Sequence, residues 1–297
     1  MIDAKAELGR RRERIEQALE QALPAEAAWP ATLHRAMRYS VFAGGKRIRP
    51  QLVLAACDAV GSPCDAALDF ACAAELVHTF SLIHDDLPAM DDDDLRRGQP
   101  TNHKVFGEAV AILAGDALLA RAFELVSGRP DADPAQLVRQ ARAGSILAAA
   151  CGSLGLIGGQ TGDIEAEGRE VSATALESIH RAKTGALLTA CVQGGGVLAG
   201  ASPEDEQRLR RFGSAIGLAF QVVDDILDAT ESAETLGKTA GKDTADRKAT
   251  YVGVHGLDAA RAQAHVLLGE ALAELRPFAE RALLLESLAR QIVERHA

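Results

Sequence analysis

Aromatic side chains are scarce in this chain of 297 residues: they make up 4 % of it, with one Trp and two Tyr. Sheets favour β-branched and aromatic residues, whereas close-packed helices are built well from the Ala and Leu that dominate here. No alternating apolar and polar run is long enough to predict a strand. Since 47 % of the residues are hydrophobic, a sizeable core is expected. The sequence predicts an all-α protein, with one domain over residues 1–297.

Cysteine is also sparse and unpatterned. The five cysteines form no CxxC pair, and their odd number leaves one unpaired in any disulfide scheme. This usage is typical of a reducing compartment and does not favour a zinc or redox site. Eighteen uncharged apolar residues never occur together, and the first helical stretch is too charged for a signal sequence. We therefore expect a cytoplasmic protein without stable membrane insertion.

A basic surface is lacking too. The net charge is -10, which argues against a nucleic-acid partner. Acidic residues are instead concentrated in SLIHDDLPAMDDDDLRRG, residues 81–98, with six aspartates among the ten residues 85–94. Each close pair of carboxylates repels by about 1 kcal/mol even in water. An acidic run is usually a solvated loop, but this one ends an apolar helix, and a second cluster lies far downstream.

The second cluster, AFQVVDDILDA, places three aspartates on an apolar helix. Asp224 and Asp228 are four residues apart and share a face. Carboxylates in such surroundings are costly unless they are paired or bind metal. Ligand sets made only of oxygen favour Mg2+, which often bridges to a phosphate. Two aspartate-rich edges with Mg2+ between them suit a diphosphate.

Cations follow a glycine turn in AGGKRIRP. Lys46, Arg47 and Arg49, together with His78 one helix further on, are candidates for a second phosphate held without metal; a surface salt-bridge patch is the alternative. The motif is not a P-loop, because Ser40 stands at its first glycine position and Arg47 replaces the Ser or Thr. Nucleotide binding is therefore not favoured.

Helical periodicity and breaker residues divide the chain. Glycines at 194–196 are expected to interrupt one helix, and the polar residues 231–250 read as a loop. The glycine-rich residues 152–168 are expected to be helical in part, with glycines that permit close helix contact. The other predicted helices cover residues 3–23, a short stretch from 31, then 49–60, 63–85, 108–127, 133–151, 174–198, 203–228, 257–275 and 277–295.

Six motifs occur in order: GGKRIRP, HTFSLIHDDLPAMDDDDLRRG, GGQTGD, KTGALL, FQVVDDILD and LGKTAGKD. Together, over residues 36–250, they resemble the trans-isoprenyl diphosphate synthases, especially the bacterial farnesyl diphosphate synthases. The resemblance implies an isoprenoid synthase-type helical bundle around a central deep cavity, usually as a homodimer. It also implies Mg2+-dependent head-to-tail condensation of isopentenyl diphosphate with an allylic diphosphate.

The resemblance assigns roles residue by residue. The metal-binding aspartates would be Asp85, Asp86, Asp91, Asp224, Asp225 and Asp228, with Asp85, Asp91 and Asp224 holding three Mg2+ ions. The isopentenyl diphosphate site would comprise Lys46, Arg49, His78 and Arg97. The allylic diphosphate and the cation formed from it would be met by Arg96, Lys183, Thr184, Gln221 and Lys238. Among these, Lys183, Thr184, Gln221, Asp85 and Asp224 would act in catalysis.

Chain length is expected to depend on Phe80 and Ser81, which lie roughly 6 to 7.5 Å below Asp85 at 1.5 Å per residue. Phe80 is predicted to form the floor for the growing tail, which gives mainly a C15 product; ordinary core packing is the alternative for this ring. A C20 synthase, a non-catalytic subunit, a class I terpene cyclase and an acidic metal-buffer protein are the competing interpretations. The aspartates are all present and accompanied by a basic site, which favours the synthase.

Overall fold

The computed structural model describes residues 3–61, 65–127, 132–230 and 249–294, and these are almost entirely helical, as predicted. The helices are α1 Ala4–Ala22, α2 Ala31–Val41, α3 Ile48–Val60, α4 Asp65–Asp85, α5 Asn102–Phe106, α6 Glu108–Val126, α7 Pro134–Cys151, α8 Leu156–Ala166, α9 Ala173–His180, α10 Ala186–Leu198, α11 Pro203–Thr230, α12 Tyr251–His255, α13 Leu257–Leu275 and α14 Leu283–Val293.

Side-chain caps fix several helix starts. Asp3 accepts from the backbone N–H of Lys5 at 3.0 Å, and Asp133 accepts from that of Ala135 at 2.8 Å. Such caps satisfy amide groups that have no partner within the helix. Pro134 follows at the first helical position, where its missing N–H costs nothing.

The core lies where α4 and α10 pass through the bundle. α4 packs on α6 and α3, while α10 packs on α3, α7 and α11. The predicted interruption at residues 194–196 is wrong: α10 continues through them. A Cβ on Gly195 would lie 2.3 Å from the backbone oxygen of Val53, and one on Gly194 would lie 2.3 Å from the ring of Phe70. These glycines therefore allow close helix contact rather than ending the helix.

The predicted helix over 174–198 differs in its middle. Between α9 and α10, Arg181–Gly185 forms one π-helical turn, which inserts an extra residue into the helix. The last predicted helix also differs: Arg276–Ala282 is a 3₁₀ segment in which Ala279 has φ 51°, and the regular helix begins only at Leu283. Pro277 near the start of this segment is compatible with the tighter turn.

A small hairpin was not predicted. Strand β1, Leu95–Arg96, pairs antiparallel with β2, Gln99–Pro100. Its turn residues Arg97 and Gly98 both have positive φ, 55° and 76°, as a two-residue hairpin turn requires. The strands are too short to show an alternating pattern.

Within the described ranges, two helical stretches are apolar and long enough to cross a membrane by composition alone, residues 66–85 and 134–166. The first is largely α4, with 72 % of its apolar window buried inside the protein. A core helix has the same composition, so this is weak support for a membrane span. In the second, only 33 % of the window is buried.

Candidate active site

A cavity of about 230 Å³ opens between α4, α8, the π turn and α11. Polar and charged side chains form most of its wall. The residues that line it are Arg49, His78, Ser81, Leu82, Asp85, Asp91, Asp93, Arg96, Leu156, Gln160, Asp163, His180, Lys183, Thr184, Phe220, Gln221, Asp224, Asp225, Asp228, Ala249 and Thr250. The cavity thus brings together parts of both aspartate clusters.

The run of four aspartates alternates between two sides. Asp91 and Asp93 line the cavity, whereas Asp92 and Asp94 are exposed, within 4.8 Å of each other and of a ring nitrogen of His103. Four consecutive carboxylates therefore do not act together. Lys104 lies 2.7 Å from Asp94 and balances its charge.

Asp85, the last residue of α4, faces the cavity. Burial raises its pKa to about 7, and the neighbouring carboxylates of Asp91 and Asp86 add to the rise, while Lys183 and Arg96 oppose it. A carboxylate that is costly to ionise among other carboxylates is stabilised by a bound cation.

Asp86 does not line this cavity. Its buried carboxylate accepts from Arg96, with Nε at 2.9 Å. Arg96 also lies 3.1 Å from Asp93, so both aspartates hold the guanidinium at the cavity wall. Of the first cluster, the structure brings Asp85, Asp91 and Asp93 to the cavity, and it uses Asp86 to orient an arginine.

The second cluster lies on α11. Asp224 and Asp228 both line the cavity, as their spacing predicted. Asp225 also borders it, but its oxygens accept from the side chain of Gln221 at 2.9 Å and from the backbone N–H of Tyr251 at 2.6 Å. Asp225 therefore links α11 to the start of α12.

The π turn supplies Lys183 and Thr184. Lys183 Nζ lies 2.5 Å from Asp163 on α8. Burial alone would lower the pKa of Lys183, but Asp163 and Asp85 outweigh this effect and raise it, so the ammonium remains charged. Thr184 donates its hydroxyl to Gln221 Oε1 at 2.9 Å. Arg96, Lys183, Thr184 and Gln221 thus meet in one cavity, as the resemblance implied.

The basic residues of the turn AGGKRIRP lie in different environments. The prediction that Arg47 is a phosphate candidate is wrong, because its guanidinium is buried and bound to Glu75 at 2.7 Å and Glu16 at 2.8 Å. Arg47 has φ 51°, which redirects the chain just before α3. Arg49 lines the cavity and stacks over Phe220 at 6.0 Å.

Two other basic residues lie beside the cavity rather than in it. Lys46 is exposed. Arg97 donates to the backbone oxygen of Gly44 and lies against Gly45. His78 does line the cavity, and its pKa is lowered by burial and by the guanidiniums of Arg49 and Arg97. Lys238, which the resemblance assigned to the allylic site, lies outside the described residues.

The face of α4 toward the cavity carries His78, Ser81, Leu82 and Asp85. Phe80 lies on another face: it is buried, and its ring packs edge-on against His84 with the centroids 4.9 Å apart. His84 in turn contacts the backbone oxygen of Ile112 on α6 at 3.1 Å. Phe80 therefore lies behind the cavity wall, between α4 and α6.

Sequence reasoning named no individual residue of GGQTGD, yet α8 supplies Gln160 and Asp163 to the cavity. Gln160 follows Leu156 by four residues and precedes Asp163 by three, a spacing that puts all three on one helix face. His180, buried with Nε2 3.7 Å from Asp225, was also missed. For Gln160 and Asp163 the sequence signal was their i, i+4, i+7 spacing with Leu156.

The donor set fits a hard divalent ion. Asp85, Asp91 and Asp224 offer only oxygen and line one cavity, and burial makes the charge of Asp85 costly. These carboxylates would hold Mg2+, with Lys183 and Arg96 placed to contact an anion bound to it.

Comparison with known proteins agrees with this geometry. The Polyprenyl synthetase family model matches residues 30–283. A dimethylallyltranstransferase of Fischerella ambigua (strain UTEX 1903) is 49 % identical over 97 % of this chain and 82 % of its own length. The large subunit 1 of a chloroplastic heterodimeric geranylgeranyl pyrophosphate synthase of Arabidopsis thaliana is 51 % identical over 93 % of this chain and 73 % of its own.

Solved structures share the fold. The Helicobacter pylori geranyltransferase, complexed with magnesium and isoprenyl diphosphate, superposes with a TM-score of 0.85 at 34 % identity over 99 % of this chain and 97 % of that one. The match covers the helices that build the cavity. The chain therefore belongs to the polyprenyl synthetase family and is a prenyltransferase of the prenyl diphosphate synthase type.

Proposed function

We propose that this protein is a Mg2+-dependent farnesyl diphosphate synthase, which condenses isopentenyl diphosphate with dimethylallyl or geranyl diphosphate. The observation that carries the proposal is one cavity with two kinds of anion site. Asp85, Asp91 and Asp224 form the acidic side, while Arg49 and His78 form a side that can hold an anion without metal. Two diphosphate substrates that react head to tail need two separate anion sites of this kind.

The first step breaks the allylic C1–O bond, and the leaving diphosphate gains negative charge. Lys183 and Arg96, both at the cavity wall, stabilise that charge electrostatically. Three Mg2+ ions held by the aspartates would add Lewis-acid stabilisation. Lys238 belongs to this set by resemblance.

In the second step the C3=C4 bond of isopentenyl diphosphate attacks the allylic C1, and a proton leaves C2. No general base stands out among the residues that line the cavity, so we assign the proton to the released diphosphate. Thr184 donates its hydrogen to Gln221, which leaves the hydroxyl oxygen to face positive charge. Both side chains then stabilise the cation without reacting with it.

A C15 product is proposed because of the bulk near Ser81. Phe80 is adjacent to it and packs on His84, which contacts α6, so its ring adds bulk behind this part of the wall, on the side toward which a longer tail would extend. The curated geranylgeranyl synthase relative, at 51 % identity, makes C20 the second candidate.

The test is product analysis after incubation of the purified protein with Mg2+, isopentenyl diphosphate and dimethylallyl diphosphate. Mainly C15 after dephosphorylation supports the proposal. Mainly C20 would support the condensation reaction but contradict the C15 product. No condensation at all would favour a non-catalytic subunit. A metal-buffer protein would bind Mg2+ equally well with and without diphosphate.

We also propose a homodimer. Leu113 on α6 and Val138 on α7 are 57 % and 61 % exposed, and Ile112 and Leu137 add to the same two helices. Exposed apolar side chains on two helices that pack on each other are a feature of association surfaces. Light scattering after gel filtration should give twice the monomer mass, and the double substitution Leu113→Glu and Val138→Glu should give monomers. A wild-type monomer would contradict the proposal.

A further inference from the structure

Gln160 on α8 is a buried amide without a hydrogen bond. Its side chain is 7 % exposed, and neither Nε2 nor Oε1 has a partner among the described residues. An unpaired buried polar group destabilises the fold, because it has lost its hydrogen bonds to water without replacement. Native structures tolerate this cost rarely, and often where a ligand completes the site.

The position of this amide is set by backbone contact. Gly159 lies directly against the π turn: a Cβ there would be 2.1 Å from the backbone N of Lys183. α8 and the π turn are therefore in direct backbone contact, and Gln160 follows the residue that makes this contact. One turn further on, Asp163 binds the ammonium of that lysine.

The other amide at the cavity wall is already engaged. Gln221 accepts from Thr184 and donates to Asp225. Gln160 lines the cavity on the same helix as Asp163, the partner of Lys183, and an anion that contacts Lys183 would lie on this side of the cavity. An amide offers two N–H donors, which suit phosphate oxygens.

We propose that Gln160 is a substrate-binding residue whose side-chain N–H donates to the diphosphate of the allylic substrate. This inference rests on the proposed function, since it assumes an allylic diphosphate held on the side of Lys183. Gln160 adds a neutral donor to the cations there, and the diphosphate in turn satisfies the buried amide.

Two substitutions test it. Gln160→Met keeps the size and removes the donor; it should raise the KM for dimethylallyl diphosphate about tenfold, as expected for one hydrogen bond to a charged group. The KM for isopentenyl diphosphate should change less than twofold. Gln160→Glu keeps the shape but sets a carboxylate against the diphosphate, so it should weaken allylic binding further.

Calorimetry of inorganic diphosphate binding in the presence of Mg2+ gives a readout independent of turnover. Both variants should bind diphosphate more weakly than the wild type. The matched control is Gln140→Met, at an equally buried glutamine of α7 that faces Phe70 and Val126 away from the cavity; it should leave both KM values unchanged.

The outcomes separate the two proposals. If the wild type makes no prenyl product from any allylic diphosphate, the proposed function fails. If the wild type is active but Gln160→Met changes neither the allylic KM nor diphosphate binding, the role of Gln160 is overturned. Gln160→Glu binding diphosphate as tightly as the wild type would also overturn it, because an acceptor would then serve equally well.

Discussion

Arg47 donates to Glu75 at 2.7 Å inside the bundle, where both side chains are almost fully buried. Removing one partner of a buried ion pair typically costs about 3 kcal/mol or more; here Glu16 still pairs with Arg47 when Glu75 is replaced, so the cost should be smaller than that. We expect Glu75→Gln to lower the thermal unfolding midpoint clearly.

The control for this prediction is Arg10→Ala, which removes an ion pair with Glu7 on the surface of α1. Exposed pairs contribute less than about 1 kcal/mol, so its midpoint should stay close to that of the wild type. Equal midpoints for Glu75→Gln and Arg10→Ala would show that the buried pair adds no stability.

Gly217 touches Gly185 backbone to backbone, since a Cβ on Gly217 would lie 2.6 Å from the Gly185 Cα. Gly217→Ala should therefore push α11 away from the π turn and reduce both the unfolding midpoint and kcat. Gly269→Ala is the matched control, because no atom of the described residues lies within 4 Å of its added methyl group in the middle of α13. That substitution should stabilise the protein by about 0.5 to 1 kcal/mol. An undiminished kcat in Gly217→Ala would contradict the positioning of Lys183 and Thr184 by this contact.

Adjacent aspartates on α11 should respond differently to substitution. Asp224→Asn removes a carboxylate that lines the cavity, so we expect a large rise in the Mg2+ concentration needed for half-maximal activity and at least a hundredfold lower kcat, on the order of 3 kcal/mol. Asp225→Asn alters a group bound to Gln221 and Tyr251. It should lower kcat with little change in the Mg2+ requirement. Identical Mg2+ titrations for the two variants would show that Asp225 binds metal directly.

The length of the prenyl product tests whether the part of the cavity wall formed by α4 limits chain growth. Phe80→Ala should lengthen the product, because it opens space between α4 and α6 behind Ser81. Ser81→Phe places bulk directly at the cavity and should shorten it. Chromatography of dephosphorylated products measures both, with total turnover as the control for folding. Unchanged product lengths in both variants would show that these positions on α4 do not control chain length.

The parts of this fold that could be predicted depend on local signals. Helical periodicity gave most helices, and charge repulsion singled out both aspartate clusters. Close backbone contacts were harder to predict from the sequence. The glycines of α10 look like helix breakers until the neighbouring Val53 and Phe70 are known.

Side-chain direction was the other difficulty. Arg47 and Arg49 look equivalent in the sequence, but the left-handed conformation of Arg47 turns it into the core. Gln160 lay within a glycine-rich stretch, and only the packing of Gly159 on Lys183 shows why that glutamine borders the cavity. The local spacing of Leu156, Gln160 and Asp163 places them on one helix face. Which face meets the cavity depends on long-range contacts, which no local pattern reports.

The hairpin between β1 and β2 makes two neighbouring, chemically identical residues non-equivalent. Arg96 ends β1 and is directed to Asp86 and Asp93, whereas Arg97 begins the turn and reaches the glycine turn before α3. Which partner each guanidinium binds is thus set by chain order rather than by residue type. Adding or deleting a single residue in this hairpin would therefore move both guanidiniums away from their present partners.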